Sequence, residues 1–223
     1  MSSTTCFQLF FPPENIITQQ QHYPPKIAAY HEPPPHKNSN NNNNDDDTTN
    51  DDYYANNPTV FGRILDGKIP SRTYVESAEL LAFRDKSPHA PFHALVIPKQ
   101  HVKNVYSLRG ISPHSEGGGE PESQDSNDIQ LIQNMRQMGL DLLEQHQPKA
   151  LASEDYILCF HIPPFYSVDH LHLHVLAPAS EMNWAYREIK YKCGARWCTS
   201  DVEVIERLMA GLPAVRYNRP FQC

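Results

Sequence analysis

The chain has 223 residues, with 19 basic and 26 acidic side chains and a formal charge of −7. That balance excludes the extended basic face of a dedicated nucleic-acid binder, and no apolar run is long enough to span a membrane. The five cysteines (Cys6, Cys159, Cys193, Cys198, Cys223) are odd in number, without repeated spacing or a signal peptide, which predicts a reducing compartment, cytoplasmic or nuclear.

Residues 1–57 carry Asn-, Pro- and Asp-rich tracts such as PPPHKNSNNNNNDDDTTNDD, with two basic and seven acidic residues. So few aliphatic side chains cannot offset chain entropy, and a disordered N-terminal arm is predicted. The other 166 residues, 58–223, hold 17 basic and 19 acidic groups and suffice for one domain with a substantial core.

The folded part is expected to begin near Asn57-Pro58 with a short helix over TVFGRILDGKIPS, Pro58 in its first turn and its end around Gly67. RTYVES and LLAFRD alternate as two strands joined by a tight turn. HALVIP, His93 to Pro98, is apolar on both faces and predicts a central strand. Residues 110–127, GISPHSEGGGEPESQDSN, read as a polar, flexible surface loop. Ile129, Ile132, Met135, Met138 and Leu142 fall at helical spacing over Asp128 to His146. DYILCF and HLHLHVLA supply two more strands, and Ser200 with Glu203 forms a capping-box pattern ahead of Val204, Ile205, Leu208 and Met209. The sum is an α+β domain with a mostly antiparallel five-stranded sheet and flanking helices.

The segment SVDHLHLHVLAP places His170, His172 and His174 at alternating positions. In a strand these share one face, about 6.6 Å apart per step, while Leu171, Leu173 and Val175 face a core. Three chemistries suit such a row. The imidazoles could be hydrogen-bonded core groups, or they could ligate a metal, although zinc asks for further ligands at suitable spacing, which the Cys193–Cys198 pair lacks. They could also attack phosphorus. A neutral imidazole, with an ordinary pKa of about 6.5, is a competent nucleophile near neutral pH, and its neighbours can orient it, hold phosphate oxygens or deliver a proton.

His-Leu-His-Leu-His-Val-Leu resembles the signature of the histidine triad (HIT) superfamily of nucleotidyl hydrolases and transferases. A second segment, AFRDKSPHAPFHALVIPKQH (82–101), resembles the family's Phe-x-Asp-x-x-Pro-x-Ala-Pro-x-His-x-Leu-Val-Ile-Pro-Lys-x-His stretch. TVFGRILDGKIPS looks like the opening helix of the Hint branch. FHIPPFYSVDHLHLHVLAP and the tail YREIKYKCGARWCTSDVEVIERLM resemble the third Hint-like, adenosine 5′-monophosphoramidase, group.

The resemblance implies a HIT-like fold and a hydrolase of adenosine 5′-phosphate conjugates, phosphoramidates or acyl-adenylates, that releases AMP. It implies His172 as the nucleophile that forms a covalent AMP–histidine intermediate, and His174 as the phosphate-oxygen ligand. His170 and His93 would be the relay holding the His172 tautomer, and Ser167 would touch phosphate or the bridging atom. Asp85 would accept from the ribose hydroxyls, with Lys86 beside it. Phe61, Ile64 and Ile69 would form the purine slot, and His161 would be a phosphate donor. His101 and Lys99 carry a structural or surface role by the same comparison, while His89, His114 and His146 read as solvated. Alternatives from other classes are a non-catalytic purine-nucleotide-binding regulator, an aprataxin-like activity, or dinucleoside polyphosphate hydrolysis. Where some Hint-like proteins carry Cys-x-x-Cys, this chain has Thr59-Val60-Phe61-Gly62, and no cofactor or metal is implied. The implied partners are a small purine nucleotide and a second copy of the chain in a homodimer, with no membrane and no nucleic acid.

Overall fold

A computed structural model describes residues 57–111 and 123–216. The predicted arm, apart from Asn57, and most of the predicted 110–127 loop lie outside the described residues, as do His114, Cys6 and Cys223.

Six strands form one sheet: β1 (Thr73–Glu76), β2 (Leu80–Arg84), β3 (Phe92–Pro98), β4 (Ile157–His161), β5 (Leu173–Ala177) and β6 (Cys198–Ser200). Their order is β1-β2-β3-β5-β4-β6, with every neighbouring pair antiparallel. The sheet thus has one strand more than the five expected. The additional one is β6, whose three residues are too few to show a periodicity of two.

Register decides which side chains share a face. Leu95 pairs with His174, His174 with Cys159, and His161 with Cys198. With side chains alternating along each strand, one face collects Phe83, His93, Leu95, His174, Cys159, His161 and Cys198. The opposite face collects Ala82, Ala94, Val96, Leu158, Phe160, Leu173 and Val175, all buried in the main core. The expectation that Leu171, Leu173 and Val175 point away from the histidines therefore holds.

Helix α2 (Ser123–His146) covers the core face with Ile129, Ile132, Met135, Leu142 and Leu143, while Met138 packs at its edge. Each such buried side chain contributes about 1.5–3 kcal/mol of transfer free energy. The helix starts five residues before the predicted Asp128, so residues 123–127 are helical rather than loop. SQDSN offers no apolar residue to mark the helical period, which is why sequence periodicity begins late. A short helix α3 (Pro148–Ala152) follows. Helix α4 (Asp201–Met209) is capped as expected: the Glu203 amide donates to Ser200 Oγ at 3.1 Å.

At the other end, α1 (Val60–Leu65) is capped by Thr59, whose Oγ1 accepts from the Gly62 amide at 3.2 Å. Pro58 precedes that cap instead of occupying the first turn, and Gly67, at φ +69°, follows the helix. Helix α1 lies on the histidine face: Phe61 is buried with Leu81, Phe83, Leu95 and Ile97. One sheet face is thus a conventional apolar core, and the other carries polar chemistry roofed by α1 and by the tail between β5 and β6.

Candidate active site

The site is built around β5 and the extended residues before it. His170, His172 and His174 are all buried, as are His93 and His161. Strand β5 begins only at Leu173, so His170 and His172 precede it rather than belonging to the strand. That displacement lets the chain bend and gives each imidazole a different partner.

His172 Nδ1 lies 2.7 Å from the His170 carbonyl. A carbonyl only accepts, so Nδ1 carries the proton and Nε2 keeps its lone pair. Burial lowers the His172 pKa, which leaves the ring neutral near pH 7. It is the nucleophilic form.

The His170 ring has another task. Its Nε2 donates to the Pro98 carbonyl at 2.8 Å, and its Nδ1 accepts from Asn57 Nδ2 at 2.8 Å. The His170 contact that sets the His172 tautomer runs through the His170 backbone carbonyl, while the His170 ring pins the chain to the end of β3. Asn57 is held in turn, its Oδ1 accepting from the Thr59 hydroxyl at 2.7 Å. Gly62 completes this clamp, since a Cβ there would sit 2.2 Å from the Asn57 carbonyl oxygen. Gly62→Ala should push Asn57 off His170 and cost about 1–3 kcal/mol, by overpacking and an unpaired buried group. A shift in the urea midpoint measures it; Gly67→Ala, where the added methyl has open space but φ is positive, separates crowding from backbone strain.

His93, expected to help hold the His172 tautomer, meets His174 instead. The His89 amide donates to His93 Nδ1 at 3.2 Å, so a neutral His93 carries its proton on Nε2. That Nε2 lies 3.0 Å from His174 Nδ1 and 3.5 Å from the Asp85 carboxylate. His174 Nδ1 is then the acceptor, and its own proton is on Nε2. His174 Nε2 is buried with no partner among the described residues, and so is His161 Nε2. Their rings lie 4.9 Å apart, and the His172 and His174 rings 5.0 Å apart. A buried polar atom left unpaired costs about 1–3 kcal/mol. His174 Nε2–H, beside a neutral nucleophile, is a donor placed for anionic oxygen; His161, whose Nδ1 donates to the Trp197 carbonyl at 3.3 Å, offers Nε2 as a second donor only once that ring is protonated.

The remaining expected residues divide. Asp85 is at the rim, with Oδ1 accepting from the Ser87 amide at 2.7 Å. Phe61 meets the His172 ring edge-on, 5.3 Å between centroids, with Ile64 at the margin of its cluster. Ile69 is half-buried, and Lys86 and Ser167 are exposed. His101 is structural, with Nε2 donating to the Asp169 carbonyl at 2.8 Å. His89 is not free in solvent: its Nδ1 meets the Tyr191 hydroxyl at 2.7 Å and its ring stacks on Tyr186. His146 is exposed but stacks on Phe92.

Sequence reasoning missed Asn57, Tyr191 and Lys190. Buried Tyr191 lies within 6 Å, centroid to centroid, of His93, His161 and His174. Lys190 lies over the Tyr191 ring at 5.3 Å and within electrostatic reach of Asp85 and the histidines. Neither has a motif, because the irregular turn of helix Tyr186–Lys190 that places them has no sequence period.

Burial dominates the site's titration. It pushes His93 down to about 3 and His161 and His170 to about 4, and it also lowers His174. In the unfolded chain these rings titrate near 6.5, so below that value the unfolded state takes up protons that the fold refuses. Stability should therefore be fully present above about pH 6.5 and fall toward pH 4, by up to about 1.4 kcal/mol per pH unit for each such histidine. Urea midpoints measured from pH 7.5 to 4.5 should descend; a flat profile would mean that the rings are solvated.

Among the described residues, two groups have the donor chemistry to hold a metal ion: Asp85, His93 and His174, and Cys159, Cys193 and Cys198. In the first, His93 and His174 already hydrogen-bond one another, and the Asp85 carboxylate lies 3.5 Å from His93 Nε2.

Residues 58–190 match the family described as scavenger mRNA decapping enzyme C-term binding. Adenosine 5′-monophosphoramidase HINT3 of Danio rerio is 35% identical over 137 residues, covering 61% of this chain and 72% of that protein. The bifunctional adenosine 5′-phosphosulfate phosphorylase/adenylylsulfatase HINT4 of Arabidopsis thaliana is 32% identical over 137 residues, 61% of this chain and 80% of that one. Among solved structures, a HIT family hydrolase from Clostridium thermocellum is 28% identical, covering 53% of this chain and 89% of its own, with a TM-score of 0.41.

Proposed function

The chain belongs to the histidine triad superfamily, within the family of the scavenger mRNA decapping enzyme C-terminal region, and from that premise we propose how it hydrolyses adenosine 5′-phosphate conjugates to AMP. The observation that carries the reading is the combination of a neutral His172, its Nε2 lone pair left for attack, with buried Nε2 atoms on His174 and His161 that have no partner among the described residues.

His172 Nε2 attacks the α-phosphorus, forming an N–P bond as the bond to the leaving group breaks. Water then attacks the adenylyl-histidine, the N–P bond breaks, AMP leaves, and His172 is restored. Two easier displacements replace one difficult step. His174 Nε2–H donates to a non-bridging phosphate oxygen, held in that tautomer by Asp85 and His93. His161, its Nδ1 turned to the Trp197 carbonyl at 3.3 Å, gains a proton as the anion arrives and becomes a second donor. Asp85 is the ribose acceptor, Phe61, Ile64 and Ile69 line the purine side, and Ser167 and Lys86 flank the entrance. The superfamily resemblance supports a homodimer, the charge balance argues against a nucleic-acid partner, and the odd, irregularly spaced cysteines support the cytoplasm or nucleus.

A second reading concerns the leaving group. Lys190 adds an ammonium beside the histidine cluster, which suits an anionic leaving group such as sulfate. Rates of AMP release from an adenosine phosphoramidate and from adenosine 5′-phosphosulfate, for wild type and Lys190→Met, decide between them. Loss confined to the phosphosulfate supports the anionic leaving group, and equal loss on both assigns Lys190 to the shared phosphate. Failure of wild type to release AMP from either would overturn the hydrolase reading.

A further inference from the structure

Three cysteines that sequence spacing keeps apart meet in the fold. Cys159 comes from β4, Cys198 from β6, and Cys193 from the turn before β6. Their Sγ atoms all lie within 4.8 Å of one another. Cys159 and Cys198 are wholly buried and Cys193 reaches the surface.

The turn is shaped to bring Cys193 in. Gly194 takes φ +83°, a left-handed conformation that other residues rarely adopt, and its amide donates to the Cys198 carbonyl at 3.0 Å. The Cys198 amide returns to the Ala195 carbonyl at 3.3 Å. One pair of buried thiols is ordinary core filling. A third, carried back from an exposed turn onto that pair, is not explained by packing.

We propose that Cys159, Cys193 and Cys198 form a three-thiolate zinc site that ties β4, β6 and the intervening turn together beside the histidine cluster. Zn–S bonds of about 2.3 Å in tetrahedral geometry place sulfurs about 3.8 Å apart, within the span that these atoms occupy. Soft thiolates favour zinc over magnesium, calcium or manganese. Binding Zn²⁺ releases the three thiol protons and leaves a site of net charge −1, with the fourth position open to water.

This departs from the expectation of a metal-free chain, which rested on the Cys193–Cys198 spacing and could not place Cys159. The site also touches function through the sheet, because Cys159 is paired with His174 and Cys198 with His161.

The test uses the full-length, reduced protein, stripped with chelator and titrated with Zn²⁺ against a chromophoric competitor. Binding should saturate at about one ion per chain, and Co²⁺ in its place should give thiolate-to-metal charge-transfer absorption. Cys193→Ser, chosen because its side chain is exposed, should weaken binding by at least about 10-fold and abolish that absorption. His93→Asn should keep both. The proposal is overturned if reduced wild type binds no zinc, if Co²⁺ gives no charge-transfer absorption, or if zinc survives Cys193→Ser and is lost in His93→Asn.

Discussion

His172→Asn should reduce AMP release from an adenosine phosphoramidate by about 10³-fold or more, the scale on which losing a covalent nucleophile acts. The expectation rests on one atom. With Nδ1 bound to the His170 carbonyl, Nε2 is the lone pair available for attack, and an amide in its place is not nucleophilic. Asparagine is smaller than histidine, so His172→Gln is the companion variant; a comparable loss in both separates chemistry from a cavity against Phe61. Thermal midpoints near wild type would confirm that the fold survives. Activity within 10-fold of wild type, measured on the same substrate, would remove His172 from the reaction.

The second large effect is expected at His174. His174→Phe keeps a ring in a buried position and removes an Nε2–H that meets no acceptor among the described residues. Deleting a donor aimed at developing oxyanion charge costs about 10²–10³ in kcat. The loss should appear in kcat rather than KM, because the donor acts most strongly as charge builds on the phosphoryl oxygens. His93→Asn provides the graded comparison. It leaves the His174 ring in place but removes the Nε2–H that sets its tautomer, so a smaller loss follows, of about 10-fold or more. A His174→Phe enzyme whose only change is a higher KM would show that the ring binds ground-state phosphate alone.

Much of this site is legible in the chain before folding. Alternation of His170, His172 and His174 with Leu171, Leu173 and Val175 separates a polar face from a core face, and the structure keeps that division. Asp85 and His93 are reached because the segment around them has a recognisable order of residue types. What the sequence does not disclose is which nitrogen meets which partner. His170 serves through its carbonyl, a local contact of the extended chain before β5, and His93 through His174, which follows from the β3–β5 register rather than from composition.

Other features stay hidden for the same reason. Tyr191 and Lys190 follow an irregular helical turn, and Asn57 sits at the edge of a low-complexity arm, where its composition argues against a structural role. Cys159 meets Cys193 and Cys198 only because β4 pairs with β6 across more than thirty intervening residues. Long-range pairings of this kind leave no periodicity to read. The α2 start is missed because five polar residues precede its first apolar one.

The central claim is the covalent intermediate on His172. Wild-type protein mixed with an excess of an adenosine phosphoramidate, quenched within the first turnover under conditions that preserve N–P bonds, and mapped by peptide mass spectrometry tests it most directly. The account predicts one adenylyl group on the peptide containing residues 167–178, assigned to His172 and absent from His172→Asn. An adduct on another residue, or full AMP release at normal rate with no adduct at any quench time and inverted configuration at a chiral phosphorus, would contradict it.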